Sequence, residues 1–312
     1  MHIFGWDLDR TYLDTQIDSV KGLLRAAMER PNQKRTVAGA APLARGLVAA
    51  DADARLRFLS GSPRQLRSAI EQKLALDGIV FDRLTLKDNL RNLRRGRFRA
   101  VRAQIGYKLP TLLADRVAIS PGTTETWFGD DSEKDGLIYA VYGAVVAGQL
   151  TTDDVRALLR RTRAYPDAIA KAVRAIERIE QADAVEDIFI RLERGSAPRR
   201  FARLGRQVKP VLSWFQAAMV LHVRGRLPID AVAAVAEDCR LPETSGYWID
   251  LAIDAVRRRL VPDEAASSIM GELSPELAAD AGDRLRSTEL VSVAEFAEIP
   301  DYLGFLDLDG AA

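Results

Sequence analysis

Residues 1–11 read Met1-His2-Ile3-Phe4-Gly5-Trp6-Asp7-Leu8-Asp9-Arg10-Thr11, and the order of residue types in them decides the fold. Ile3 to Trp6 is a short apolar run that breaks off into charge, the pattern of a strand buried on both faces of a parallel sheet. Asp7 and Asp9 stand directly beyond it. At a strand's carboxyl end, two carboxylates at i and i+2 make a negative site suited to a hard cation bound through oxygen. With the cation in place, one carboxylate can attack phosphorus while the other handles protons. An ordinary acidic turn fits the same five residues, so the rest of the chain has to decide.

Working outward, Leu56-Arg57-Phe58-Leu59 is a second apolar run, ending at the turn Ser60-Gly61-Ser62-Pro63. A hydroxyl and backbone N–H groups in such a turn can hold a phosphate oxygen, and they can equally cap a helix. Pro63 suits the first turn of a helix over 64–76. Gly78-Ile79-Val80-Phe81 reads as a third strand. Lys108, after Gly106-Tyr107, precedes a helix and is a candidate to neutralise charge on a transferring phosphoryl group. Thr126-Trp127-Phe128 makes a further strand, ending at Gly129-Asp130. The loop to Asp135 carries Asp130, Asp131 and Asp135, which repel one another unless a cation or lysine sits among them. Alternation of this kind predicts an α/β fold, a parallel sheet with helices on both faces and ligands beyond the strands' carboxyl ends.

From about Leu150 the reading is helices only. Val155, Leu158, Leu159 and Thr162, then Ile169, Val173, Ile176 and Ile179, fall at helical spacing. Asp153, Asp230 and Asp263 stand where a carboxylate stabilises a helix start. The expected organisation is therefore an α/β domain over 1–147 and an all-α accessory domain over 148–312. The latter ends in an acidic tail from about Glu272. The core's own elements consume most of 15–56 and 63–108, leaving no room for a large cap domain.

Of 312 residues, 47% are hydrophobic and 29% charged, a globular composition. Lys+Arg and Asp+Glu number 45 and 44, so no global field, and no strong nucleic-acid signal, is present. The single cysteine, Cys239, excludes an internal disulfide and a cysteine-rich zinc site, and fits a reducing cytoplasm. Residues 1–6 fall short of a signal peptide, and no stretch reaches the roughly 18 apolar residues of a membrane span. A soluble, cytoplasmic protein is expected. His2 and His222 carry little functional weight. Two basic segments, 87–108 and 191–209, either are solvated faces or meet polyanions or a lipid surface. The second, with Arg199, Arg200, Arg203 and Arg206, runs towards Trp214 and Phe215, which would suit a peripheral membrane contact.

Taken in order, Asp7-x-Asp9-x-Thr11 after a strand, Ser60 after a strand, Lys108 before a helix and Gly129-Asp130-x4-Asp135 after a strand resemble the haloacid-dehalogenase (HAD) superfamily. Phe58-Leu59-Ser60-Gly61-Ser62-Pro63, Lys108 and Gly129 to Asp135 with Ile138-Tyr139 resemble one branch, the actin-patch-protein-type phosphatidate phosphatases. The resemblance spans about 1–145. Arg10 departs from it, since that branch usually has Asp there and the wider superfamily Gly, which leaves the lipid specificity open. The resemblance implies a HAD-like Rossmannoid sheet and a Mg²⁺-dependent phosphatase. Asp7 would be nucleophile and metal ligand, and Asp9 the acid and base, touching the metal through its carbonyl. Asp130 would complete the metal site. Ser60, Gly61, Thr11 and Lys108 would hold phosphoryl oxygens, Thr11 also fixing the first loop, and Asp131 and Asp135 would support. The substrate would be phosphatidate or another large phosphorylated molecule. Alternatives are a nucleic-acid-end or phosphoprotein phosphatase, and a non-catalytic binding module. The C-terminal helices would suit a protein partner.

Overall fold

The structure is a computed structural model that describes residues 1–14, 34–88, 104–239, 247–273, 282–285, 287–288 and 300–307. In chain order, β1 (His2–Trp6) is followed by α1 (Ala40–Ala50), β2 (Ala54–Pro63), α2 (Arg67–Leu76) and β3 (Arg83–Lys87). Next come α3 (Ile105–Arg116), β4 (Thr124–Asp130), α4 (Asp135–Val146), α5 (Thr152–Arg161) and α6 (Pro166–Ile176). The second half continues with β5 (Val185–Arg191), β6 (Val208–Val211), α7 (Trp214–Val223), α8 (Ile229–Asp238), α9 (Tyr247–Arg257), α10 (Asp263–Leu273) and α11 (Tyr302–Asp307).

Among the described residues, six strands form one sheet, all parallel, in the order β3-β2-β1-β4-β5-β6. The period-2 alternation of the strands sorts their side chains into two cores. Phe4, Trp6, Phe58, Phe128 and Phe189 pack with α1, α2 and α7 to α10. Leu59, Trp127, Ile188 and Ile190 pack with α3 to α6 and α11 on the other face. Trp6 and Phe128 stack at 4.1 Å, and Phe128 stacks on Phe189 at 5.4 Å, so aromatic rings tie β1, β4 and β5 together. A Cβ on Gly5 would lie 2.2 Å from the Trp127 ring, which crosses β1 where only glycine leaves room.

Two expectations are corrected. Gly78 to Phe81 is no strand. Gly78, at φ 70°, ends α2, its N–H donating to Ala75 O and that of Ile79 to Leu74 O. This is a Schellman stop whose apolar follower Ile79 packs back on the helix, so the apolar run served a cap; the strand begins at Arg83. Nor is 148–312 all helical, because β5 and β6 extend the same sheet that β1 to β4 build. Helices make up the other ordered elements of that part, and α5 starts with the capping box Thr151–Asp154. Asp153, Asp230 and Asp263 do lie in first turns. The basic run 89–103 and most of the acidic tail lie outside the described residues.

Far from the strands' carboxyl ends, His2 is 1% exposed, its ring held by the hydroxyls of Thr124 (2.6 Å) and Thr126 (3.0 Å). Burial, with Arg226 adding to it, lowers its pKa to about 4. The folded protein therefore holds a neutral ring, while the unfolded chain takes up a proton near the ordinary value of roughly 6.5. Stability from this group is complete above that pH and is lost as pH falls towards 4, by about 3 kcal/mol. Urea unfolding of wild type and His2→Gln at pH 7 and 4.5 should show a smaller acid loss in the variant. Equal losses would contradict this account.

Candidate active site

The strand order reverses between β1 and β4, and in open parallel sheets the crevice at such a switch point is where ligands sit. Asp7 follows the last residue of β1, and its N–H donates to Phe128 O of β4 (2.9 Å). Asp130 is the last residue of β4, Ser60 and Ser62 lie near the end of β2, and Lys108 sits in the first turn of α3 rather than before it. Adjacency of β2, β1 and β4 thus collects residues 7, 60, 108 and 130.

Lys108 is the hub. Its Nζ, fully buried, donates to Asp7 Oδ1 (2.6 Å), Asp135 Oδ1 (2.6 Å) and Glu133 Oε2 (3.2 Å). Burial works against its charge, but Asp135, Asp7 and Glu133 outweigh that and hold its pKa well above the ordinary value. Asp135 reaches Lys108 because Gly129 has no side chain, where a Cβ would stand 2.5 Å from Asp135 Cβ. The second oxygens of Asp7 and Asp135, both buried, have no hydrogen-bond partner. One carboxylate oxygen each from Asp7, Asp130 and Asp135 lies within 4.8 Å of the other two.

This group is short of positive charge. Burial raises the Asp7 pKa well above the ordinary value, with Asp135, Glu133 and Asp9 acting the same way against Lys108. Burial likewise brings Asp130 and Asp135 up to about 6 and raises Glu133. Three oxygen donors of this kind, two of them with an unpartnered buried oxygen, could hold a hard cation.

The remaining expected residues fall around this centre in altered roles. The side chain of Asp9 is not one of the three gathered carboxylates; its Oδ2 accepts from Ser60 Oγ (2.9 Å) and Ser62 Oγ (2.8 Å). Asp135, expected only to support, is one of the three. Thr11 Oγ1 donates to Asp130 Oδ2 (3.3 Å), so it steadies a carboxylate. Asp130 also accepts from the N–H and hydroxyl of Ser132. Asp131 turns away and accepts from the N–H groups of Arg194 (2.9 Å) and Ser196 (3.1 Å), pinning the loop after β5. Gly61 lies against the Gln104 amide, which a Cβ would meet at 2.5 Å. Arg10 adopts φ 62°, a left-handed conformation costing a non-glycine residue roughly 1 kcal/mol. Its carbonyl accepts from Arg191 Nη2 of β5 (2.8 Å).

Sequence reasoning gave Glu133, Ser62 and Arg191 no part in the site. Ser62 was within reach, since residues 60 and 62 of one strand share a face. Trp214 and Phe215 cannot meet a membrane, because both are fully buried; the Trp214 indole donates to Thr11 O (3.1 Å) from beneath the first loop. No helix among the described residues is long and apolar enough to cross a membrane. His222 is bonded to Leu227 O at the end of α7, and buried Cys239 ends α8.

Gly129→Ala should force Asp135 off Lys108 while leaving the sheet in place. Divalent-cation affinity, measured by Mg²⁺ titration calorimetry, should fall about 10–100-fold, as for other displaced supports of a metal site. Unchanged affinity, or no cation binding by wild type, would show that Asp135 does not hold a cation here.

Compared with protein-family models, with curated proteins and with solved structures, the chain matches none.

Proposed function

We propose that this chain is a Mg²⁺-dependent phosphomonoesterase that passes the phosphoryl group through an aspartyl-phosphate on Asp7. The observation that carries the reading is the gathering of three buried carboxylates around one buried lysine at the sheet's switch point. A structural ion pair would need one partner per charge. Here five carboxylates, those of Asp7, Asp9, Asp130, Glu133 and Asp135, stand against the ammonium of Lys108 and that of buried Lys87, which acts on Glu133, a surplus that suits a cation. Asp7, Asp130 and Asp135 would hold Mg²⁺, which when bound offsets charge on the phosphoryl oxygens.

The chain's own residues then supply the chemistry. Lys108 holds the Asp7 carboxylate through Oδ1, and one of its two oxygens forms the bond to phosphorus as the ester P–O bond breaks, the other being left to the cation. Asp9 gives its proton to the departing oxygen. It next takes a proton from the water that attacks phosphorus, and the bond to Asp7 breaks to release phosphate. Ser60 and Gly61, at the end of β2, and Lys108 hold the non-bridging oxygens. Positioning and charge neutralisation are what phosphoryl transfer chiefly requires. The resemblance of residues 58–63 and 129–139 to phosphatidate phosphatases extends the proposal to a large substrate of that kind. A cytoplasmic setting is proposed on the single cysteine alone.

Phosphate release from p-nitrophenyl phosphate should require Mg²⁺, vanish in Asp7→Asn and fall about 10²–10⁴-fold in Asp9→Asn, the usual worth of a general acid–base group. Release that is indifferent to Mg²⁺, or retained in Asp7→Asn, would refute the assignment.

A further inference from the structure

Two hydroxyls converge on one oxygen of Asp9. Ser60 Oγ lies 2.9 Å and Ser62 Oγ 2.8 Å from Asp9 Oδ2, and the Ser62 N–H donates to Ser60 Oγ (2.8 Å). All three side chains are buried. The β2 strand places residues 60 and 62 on one face, and its pairing with β3 is irregular between Ser60 and Pro63. Phosphate binding and the bond to Asp9 compete for the one proton of the Ser60 hydroxyl. Ser62 has no such second task.

We infer that Ser62 is a positioning residue that holds the Asp9 carboxyl group for proton transfer to the leaving oxygen, and that it thereby sets how poor a leaving group the enzyme accepts. The inference rests on the phosphatase reading above. As the ester P–O bond breaks, the proton passes from Asp9 to the leaving oxygen, and negative charge appears on the Asp9 carboxylate. The Ser62 hydroxyl, already aimed at Oδ2, meets that charge without reorganisation, and a hydrogen bond to a charged group is stronger than one to a neutral group. When Ser60 turns to the phosphoryl group, the Ser62 hydroxyl stays on Oδ2. Alkyl phosphates, whose alkoxide cannot leave unprotonated, depend on this arrangement. Aryl phosphates with an acidic phenol do not need it to the same degree. The substrate class that Ser62 opens to the enzyme is therefore alkyl phosphomonoesters.

The test compares kcat/KM, which reports the step that expels the leaving group, for butyl phosphate and p-nitrophenyl phosphate with saturating Mg²⁺. Ser62→Ala should lose about 10–100-fold on butyl phosphate and only about threefold on p-nitrophenyl phosphate, the larger loss matching a bond to a charged group. Ser60→Ala should lose similarly on both, because both present the same phosphoryl oxygens. Equal losses on the two substrates in Ser62→Ala would overturn the inference while leaving the phosphatase reading intact. No Mg²⁺-dependent release by wild type from either substrate would defeat that reading, and the inference with it. Should Ser62→Ala fail to fold, Ser62→Thr keeps the hydroxyl and should keep the wild-type ratio of the two kcat/KM values; a changed ratio would count against the inference.

Discussion

A lysine ammonium sealed among carboxylates is the interaction on which the site depends. Lys108 is fully buried and touches Asp7, Glu133 and Asp135. Removing one partner of such a buried pair typically costs about 3–5 kcal/mol, because the other charge is left without compensation. The same ammonium fixes one oxygen of Asp7 and one of Asp135, and their other oxygens are buried without a hydrogen-bond partner. One side chain thus holds both carboxylates in place.

Placing that ammonium is what the sheet order accomplishes. With β1 flanked by β2 and β4, the ends of three strands and the start of α3 meet at one place. The second half of the chain contributes as well. Arg191 of β5 holds the carbonyl of Arg10, Trp214 of α7 holds that of Thr11, and the loop after β5 is tied to Asp131. The first loop, with Asp7 and Asp9 at its start, is therefore clamped by residues more than 180 positions away. Another buried set, Glu125 with Arg116, Trp127 and Tyr142, serves the fold beneath β4.

The β1 strand and the places of Asp7 and Asp130 at strand ends were legible because short apolar runs there end abruptly in charge. That signal is local, but it also misled at residues 78–81, where the apolar run caps a helix. The later strands hid for the opposite reason. In β5 the apolar run Ile188-Phe189-Ile190 is bounded by Glu186, Asp187 and Arg191, and the buried Asp187 is neutralised by Lys209 and Arg224 from other elements. Only the folded chain shows that this acidic residue belongs inside. In β6, Pro210 argues against a strand, yet β6 is at the sheet's edge, where a missing N–H is tolerated. The partners of Asp9 and Asp131 were not legible either, because they depend on where loops from separate strands cross.

The most direct test of the central claim is to find the covalent intermediate. Enzyme quenched during turnover of p-nitrophenyl phosphate with Mg²⁺ would be reduced with borohydride, which converts an aspartyl-phosphate to homoserine, and digested for mass spectrometry. Homoserine at position 7, and at no other aspartate, is the predicted result. Steady phosphate release with Asp7 unmodified would contradict the account and leave the carboxylate cluster to some other chemistry.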